Sequence, residues 1–268
     1  MHACLEYISA GAIIFLIMGF TGQYTTAMVS DHISLIEKNA GVKKADSIIY
    51  TLLLSPGQPL DWGHATEEPE LLGLALENAV KLYQLDKYKV RRLSDDSPNY
   101  ISPGRIRDLL GLSAYYYIAI RIYPIFNITV TGIDEDWISI RLVNQWRTPV
   151  SNINITAAYL DTPVENVSYS DITSFMDLSF ETDFAFNVTD ALGTCTLNCA
   201  GVSEEGCLLI LATQLGVKSL TTWPNLSEHV IGTIESTMGS VSGFNTEVVQ
   251  KNVEIEDLDY IVRLTLWS

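Results

Sequence analysis

From residue 7 to residue 30 the chain carries no charged side chain, and Glu6 is the only acidic or basic residue before Asp31. A helix of about 24 residues is about 36 Å long, enough to cross the hydrocarbon core of a bilayer. Its densest part is residues 7–20, where Ile13, Ile14, Phe15, Leu16, Ile17 and Met18 are consecutive. Ser9, Ala10, Gly11 and Ala12 come just before that run and let a second helix approach closely. The segment lacks the basic region of an ordinary secretory signal. It is therefore read as a membrane anchor over about residues 7–30, with cleavage near Thr26-Ala27 as the alternative.

The helical pattern continues past the anchor. Ile33, Ile36, Ala40, Ala45, Ile48, Ile49, Leu52 and Leu53 recur at three- and four-residue spacing, with Asp31, Glu37, Lys38, Lys43 and Lys44 between them. That is an amphipathic stretch, and Ser55-Pro56-Gly57 ends it. The expectation is one long helix over residues 1–55, apolar first and amphipathic second.

This order resembles the type IV pilin superfamily, archaeal pilins and pilin-like envelope proteins included: a glutamate, a tyrosine, an apolar half-helix, then an amphipathic half-helix. In that family a glutamate is the fifth residue of the mature protein and neutralises the terminal amine of a neighbouring subunit. If maturation leaves His2 first, Glu6 takes that place. A carboxylate in an apolar stretch needs such a partner; the other reading leaves Glu6 in the membrane interface. Family precursors carry a short basic leader ending in a small residue, and here only Met1 precedes His2. The resemblance implies self-association through residues 7–54.

Residues 56–113 are expected to form a helical linker segment. Its opening, residues 55–63, is rich in Pro and Gly. A helix is expected from Pro69, with Glu67, Glu68 and Glu70 at its positive end. Leu71, Leu72, Leu74, Ala75, Leu76, Val80 and Leu82 give it an apolar face, and Leu85, Val90 and Leu93 carry the helical text on. Another short helix is expected over residues 105–110, after Ser102-Pro103. The ordered phrases Ser-Pro-Gly-x-Pro-x-Asp-Trp-Gly, Leu-Gly-Leu-Ala, Tyr-x-Leu-Asp-x-x-Lys-Val and Leu-Leu-Gly-Leu are similar to a pattern in archaeal pilin-like surface proteins. Trp62 is expected to be a packing anchor. His64 lies near Glu67, Glu68 and Glu70, but its spacing matches no metal motif and the acidic residues have a capping role.

From about residue 114 the period changes to two. Residues 137–143 (Trp-Ile-Ser-Ile-Arg-Leu-Val) alternate as a half-buried strand does. Further strands are expected over residues 116–122, 128–130, 153–160, 178–188, 207–213, 218–223, 230–236 and 259–267. Their spacing fits a two-sheet sandwich of immunoglobulin-like type over residues 114–268. The phrase over residues 140–150 is similar to immunoglobulin-like modules of prokaryotic surface proteins. The expected class is thus α+β: a long N-terminal transmembrane and amphipathic helix, a small helical middle segment and an immunoglobulin-like β-sandwich.

Five glycosylation sequons begin at Asn127, Asn154, Asn166, Asn187 and Asn225, all in the β-rich half; Asn-Ile-Thr is also ordinary strand text. Cys195, Cys199 and Cys207 lie within thirteen residues. In an exported domain they are disulfide candidates, one pair and one spare thiol, with the pair left open. Residues 114–268 hold 6 basic and 19 acidic side chains, so most of the net charge of −16 lies there. Such a domain repels phosphate backbones, which argues against nucleic acid. The acidic runs at residues 134–136 and 254–259 lack the calcium-loop pattern and are expected to be solvated turns. No nucleophile elbow, zinc-protease motif or phosphate loop occurs, so no catalytic residue, metal or cofactor is assigned and the chain is not expected to be an enzyme. The expected role is a single-pass surface glycoprotein of the cell membrane with its C-terminal domain outside. It would act as a pilin-like structural or filament subunit, or as an anchored immunoglobulin-like binding or adhesion module. Its partners would be membrane lipid, like subunits, and a cell-wall or surface-layer component.

Overall fold

Ile48, Ile49, Leu52 and Leu53 are buried while Tyr50 and Leu54 are exposed. That is the stripe of a helix with one face in a core. In the computed structural model this helix, α1, is described over residues 44–54. Its last regular bond runs from Ser55 N–H to the Thr51 carbonyl, and Gly57 turns the chain at φ +76°, so it stops where the sequence says it should. The described residues are 44–134, 136–163, 166–177, 184–199, 206–224, 230–238 and 245–268. The chain divides into two units, Met1–Ser47 and Ile48–Ser268. The anchor expected at residues 7–30 lies outside the described residues. Among the described residues no helix is long and apolar enough to cross a membrane.

The second unit is mostly β-structure. Strands β1 (Tyr117–Pro124), β9 (Ile234–Thr237), β10 (Thr246–Ile255) and β11 (Leu258–Trp267) form an antiparallel sheet in the order β10-β11-β1-β9. One face is apolar because alternate residues agree across the register. Ile118 pairs with Leu266, Ile120 with Leu264 and Ile122 with Val262, and all six are buried. The edge at β10 is covered by the middle segment. Leu85 N–H donates to the Glu254 carbonyl, and Glu254 N–H donates to the Tyr83 carbonyl. A strand edge left bare would invite pairing with other chains.

The other strands are β2 (Asn127–Ile133), β3 (Trp137–Val143), β4 (Asn154–Leu160), β5 (Ala185–Val188), β6 (Thr194–Asn198), β7 (Cys207–Gln214) and β8 (Val217–Trp223). They form two further sheets, β2-β3-β6 and β5-β4-β7-β8. Ile128, Ile138, Ile140, Leu142 and Leu197 from the first share a buried cluster with Ile155, Ala157, Leu208, Ile210 and Ala212 from the second. This two-layer arrangement is compatible with a β-sandwich. Strand β7 is buried along Cys207–Ala212 on both faces, so it reads as a continuous apolar run rather than an alternating one. Its outer face is covered in part by α4 (Tyr169–Met176), which buries Ile172, Phe175 and Met176 and opens with a Ser168–Asp171 capping box.

Two expectations change. The strand expected at residues 259–267 and those near residues 116–122 and 230–236 lie outside the sandwich sheets; they make the separate C-terminal sheet. The helix expected from Pro69 is not formed. Residues 70–76 spend their donors at long range instead: Glu70 on the Gln58 carbonyl, Leu74 on Leu52, Ala75 on Ser55 and Leu76 on Gln84. The apolar pattern there served an extended segment passing α1. The middle segment's regular helices are the five-residue α2 (Lys87–Arg91) and α3 (Pro103–Leu109). The latter carries the expected Ser102 cap and Pro103.

Candidate functional site

The ordered phrases of the middle segment fold into one buried fastening at the end of α1. Trp62 is fully buried. Its indole N–H is shared between the Pro56 carbonyl at 3.1 Å and the Gly73 carbonyl at 3.0 Å. Gly57 and Gly73 are required by space. A Cβ on Gly57 would lie 2.7 Å from the Trp62 indole nitrogen, and one on Gly73 would overlap the Ser55 carbonyl and crowd the Gly57 amide at 2.6 Å. The Leu52 carbonyl, one of the last four of α1 and without a partner inside the helix, accepts from Leu74 N–H at 2.7 Å.

Three cations of one short stretch complete the fastening. Lys87, Lys89 and Arg92 are all buried. The Lys89 ammonium, fully enclosed, donates to the Pro56 carbonyl at 2.9 Å and the Ala75 carbonyl at 3.2 Å, with the Asp86 carboxylate at 4.0 Å. Burial holds its pKa below the ordinary lysine value, against the pull of Asp86, Glu77 and Asp61. Arg92 lies over the Trp62 ring at 5.4 Å. It donates to the Asn99 and Glu67 carbonyls at 2.8 and 2.9 Å and also to the Trp62 carbonyl. Buried charge is tolerated when each donor finds an acceptor. For Lys89 and Arg92 the acceptors are five backbone carbonyls, those of Pro56, Trp62, Glu67, Ala75 and Asn99, so the two cations tie those segments together.

A second junction links the middle segment to the β10–β11 hairpin and to α4. The hairpin turn is Glu256-Asp257, with φ +50° and +61°; two left-handed residues match the strand twist in a two-residue loop. Lys87 pairs with Glu256 at 2.7 Å and lies 5.2 and 5.1 Å from the ring centres of Tyr88 and Tyr169. Lys81 pairs with Glu254 at 2.8 Å. Burial, then Glu256 and Asp257, push the Tyr169 phenol up to about 12. Burial also pushes Glu254 up, but the Lys81 and Gln84 bonds outweigh it and leave it below the ordinary value. In the acidic run at residues 254–259, Glu254, Glu256 and Asp259 are thus bonded carboxylates, with Asp259 accepting from Lys218 N–H at 2.8 Å, while Asp257 at the turn is exposed.

The other candidate residues are dispersed. Glu6 and Asn225 lie outside the described residues. Asn127, Asn154 and Asn166 are exposed. Asn187 is exposed too, but its amide is engaged: Nδ2 donates to the Thr196 carbonyl and Oδ1 accepts from Val188 N–H. Thr189, the sequon's third residue, is buried with its hydroxyl bonded to the Val150 carbonyl and to Ile153 N–H. Cys195, Cys199 and Cys207 are free, buried thiols, so the expected local disulfide is absent. Cys195 and Cys199 are four residues apart in an extended run, roughly 13 Å by strand rise, beyond the reach of a disulfide. Cys207 alternates with Leu208 and Ile210, which face the core that holds the other two. Burial, and for Cys195 also Asp190, pushes both Cys195 and Cys207 up to about 11. His64 stacks on Tyr88 at 4.0 Å between centroids. Among the described residues no group of His, Cys, Asp and Glu is placed to hold a metal ion.

Sequence reasoning missed Lys87, Lys89 and Arg92. Their signal was present as four cations in the six residues 87–92, beside apolar Val90 and Leu93. Comparison with protein families, with curated proteins and with solved structures finds no match to this chain.

Proposed function

We propose that this chain is a pilin-like, membrane-anchored surface protein whose N-terminal helix is the assembly element and whose β-rich part faces the outside medium. The observation that carries the reading is the fastening at the end of α1. Ile49, Leu52 and Leu53 are fully buried, and the Leu52 and Ser55 carbonyls are bonded to residues 74 and 75. A load on the helix would be borne by a core rather than by a flexible linker. The uncharged residues 7–30 upstream supply the anchor in this reading, and Glu6 supplies the carboxylate that pairs with a neighbour's amine. The strand order β2-β3-β6 against β5-β4-β7-β8 supports an immunoglobulin-like head. The test is to isolate membranes and any surface filaments from producing cells and sequence the N-terminus of the matching band. Recovery in filaments with His2 first is expected. Membrane-bound monomer with Met1 retained overturns the filament role, and recovery only in the soluble fraction overturns the anchor.

An anchored binding module is the second reading. Loops 144–153, 189–193 and 215–216 are tied together by Thr189 and Asn152. They carry the exposed side chains Trp146, Leu192 and Leu215. Loop clusters at one end of a sandwich are common recognition sites. Co-sedimentation of the intact protein with cell-wall or surface-layer material, lost in Trp146→Ser with Leu215→Ser, is the expected result for this reading; unchanged co-sedimentation counts against it.

A further inference from the structure

The C-terminal sheet has a second face, opposite the apolar one, and the register sets what stands on it. Arg121 on β1 and Arg263 on β11 are directly opposed, with Gln250 beside Arg263 and Glu235 beside Arg121. Like charges at opposed positions destabilise a sheet. The placement is costly in a half-chain that has only 6 basic residues against 19 acidic ones. Arg121 is compensated by Glu235 at 2.6 Å. Arg263 makes no ion pair among the described residues, and its Nε is buried without a hydrogen-bond partner. The neighbouring Gln250 amide donates to the Tyr123 hydroxyl at 3.2 Å, so it leaves Arg263 unserved.

A guanidinium without an ion pair beside a second guanidinium suits a planar, two-oxygen acceptor, that is, a carboxylate. The same face carries Tyr123 at one end and Trp267 at the other. Tyr123 pairs with Ile261, and residues 261 to 267 of one strand span about 20 Å. Two aromatic rings that far apart with a cation pair between them exceed a small anion and match several rings of an extended polymer. Aromatic side chains offer flat apolar surface with a polar handle, as the faces of sugar rings require.

We propose that this face binds an acidic polysaccharide, its carboxylate held by Arg263 and Arg121 and its sugar rings lying along Tyr123 and Trp267. The site is independent of the helix and of any filament role. The test uses the full chain in detergent with polygalacturonate, dextran and polyglutamate as probes, read by calorimetry at low and moderate salt. Polygalacturonate is expected to bind, more weakly as salt rises, and dextran is not. Arg263→Gln and Trp267→Ala should each weaken binding tenfold or more, with Arg263→Lys between wild type and Arg263→Gln. Arg141→Gln, at an exposed position of β3, should bind as wild type does. Each variant's thermal midpoint and near-ultraviolet circular dichroism check the fold; should Arg263→Gln not fold, Arg121→Gln takes its place with the same expectation. No binding of polygalacturonate, or variants that bind as wild type does, overturns the proposal. Equal binding of polyglutamate that survives Trp267→Ala also overturns it, in favour of an acidic peptide surface.

Discussion

Replacing Trp62 with phenylalanine isolates the fastening at the end of α1. The ring is fully buried, and its N–H is shared by two carbonyls. Pro56 keeps a donor in the variant because the Lys89 ammonium also bonds it. The Gly73 carbonyl loses its indole donor, at about 1–3 kcal/mol for a buried group left unsatisfied. The smaller ring leaves a void worth about 1–2 kcal/mol more. Arg92 keeps an aromatic face beneath it, so that contact changes little. The sum is about 3 kcal/mol, or roughly a hundredfold in a local opening equilibrium. Hydrogen exchange of the full chain reads it directly at the Leu74 and Ala75 amides, which bond the Leu52 and Ser55 carbonyls. Trp137→Phe is the control; Trp137 is 49 % exposed and should cost under about 0.5 kcal/mol. A loss of protection below about tenfold at residues 74 and 75 in Trp62→Phe would refute the claim that this ring holds the helix end.

Gly73→Ala should be as damaging as Trp62→Phe, since its Cβ meets backbone that cannot step aside; a thermal midpoint equal to wild type would contradict the packing described. Glu256→Gln should cost about 2 kcal/mol in denaturant unfolding, because it leaves the buried Lys87 unpaired; the figure lies below the roughly 3–5 kcal/mol of a fully buried pair since Glu256 is partly exposed. For Cys195 and Cys207 the folded values of about 11 lie above the ordinary 9.0. The unfolded thiols therefore ionise first, and stability should be flat below about pH 8 and fall between pH 9 and 11. Denaturant titrations across that range check this, and Cys195→Val with Cys207→Ala should reduce the decline. Ultraviolet titration should show Tyr169→Phe removing a phenol that ionises only near pH 12.

The local signals were legible because their physics is local. Ser55-Pro56-Gly57 stops a helix wherever it occurs, and Ser102-Pro103 caps one. The alternation over residues 137–143 became β3, because a strand with one wet face must alternate. The run at residues 207–213 became β7, a strand covered on both sides. The misreadings came where partners are distant. Leu71 to Leu76 carry a pattern that suits a helix or an extended segment, and the choice fell to bonds from residues 74 and 75 to the end of α1. Three cysteines close in sequence were separated by strand rise and by the alternation of strand faces. Lys89 and Arg92 are buried only because the distant segments that supply their carbonyls are brought around them.

By itself the sequence determined the uncharged stretch at the N-terminus, the place where α1 ends and the β-rich character of the second half, since hydropathy, caps and period are properties of neighbouring residues. Only the tertiary structure decided that four of the strands leave the sandwich for a separate sheet, that three cations are sealed inside the middle segment, and that Arg121 meets Arg263. Those outcomes depend on register and on hydrogen bonds between residues far apart in the chain, and no local pattern encodes which distant carbonyl or strand will arrive.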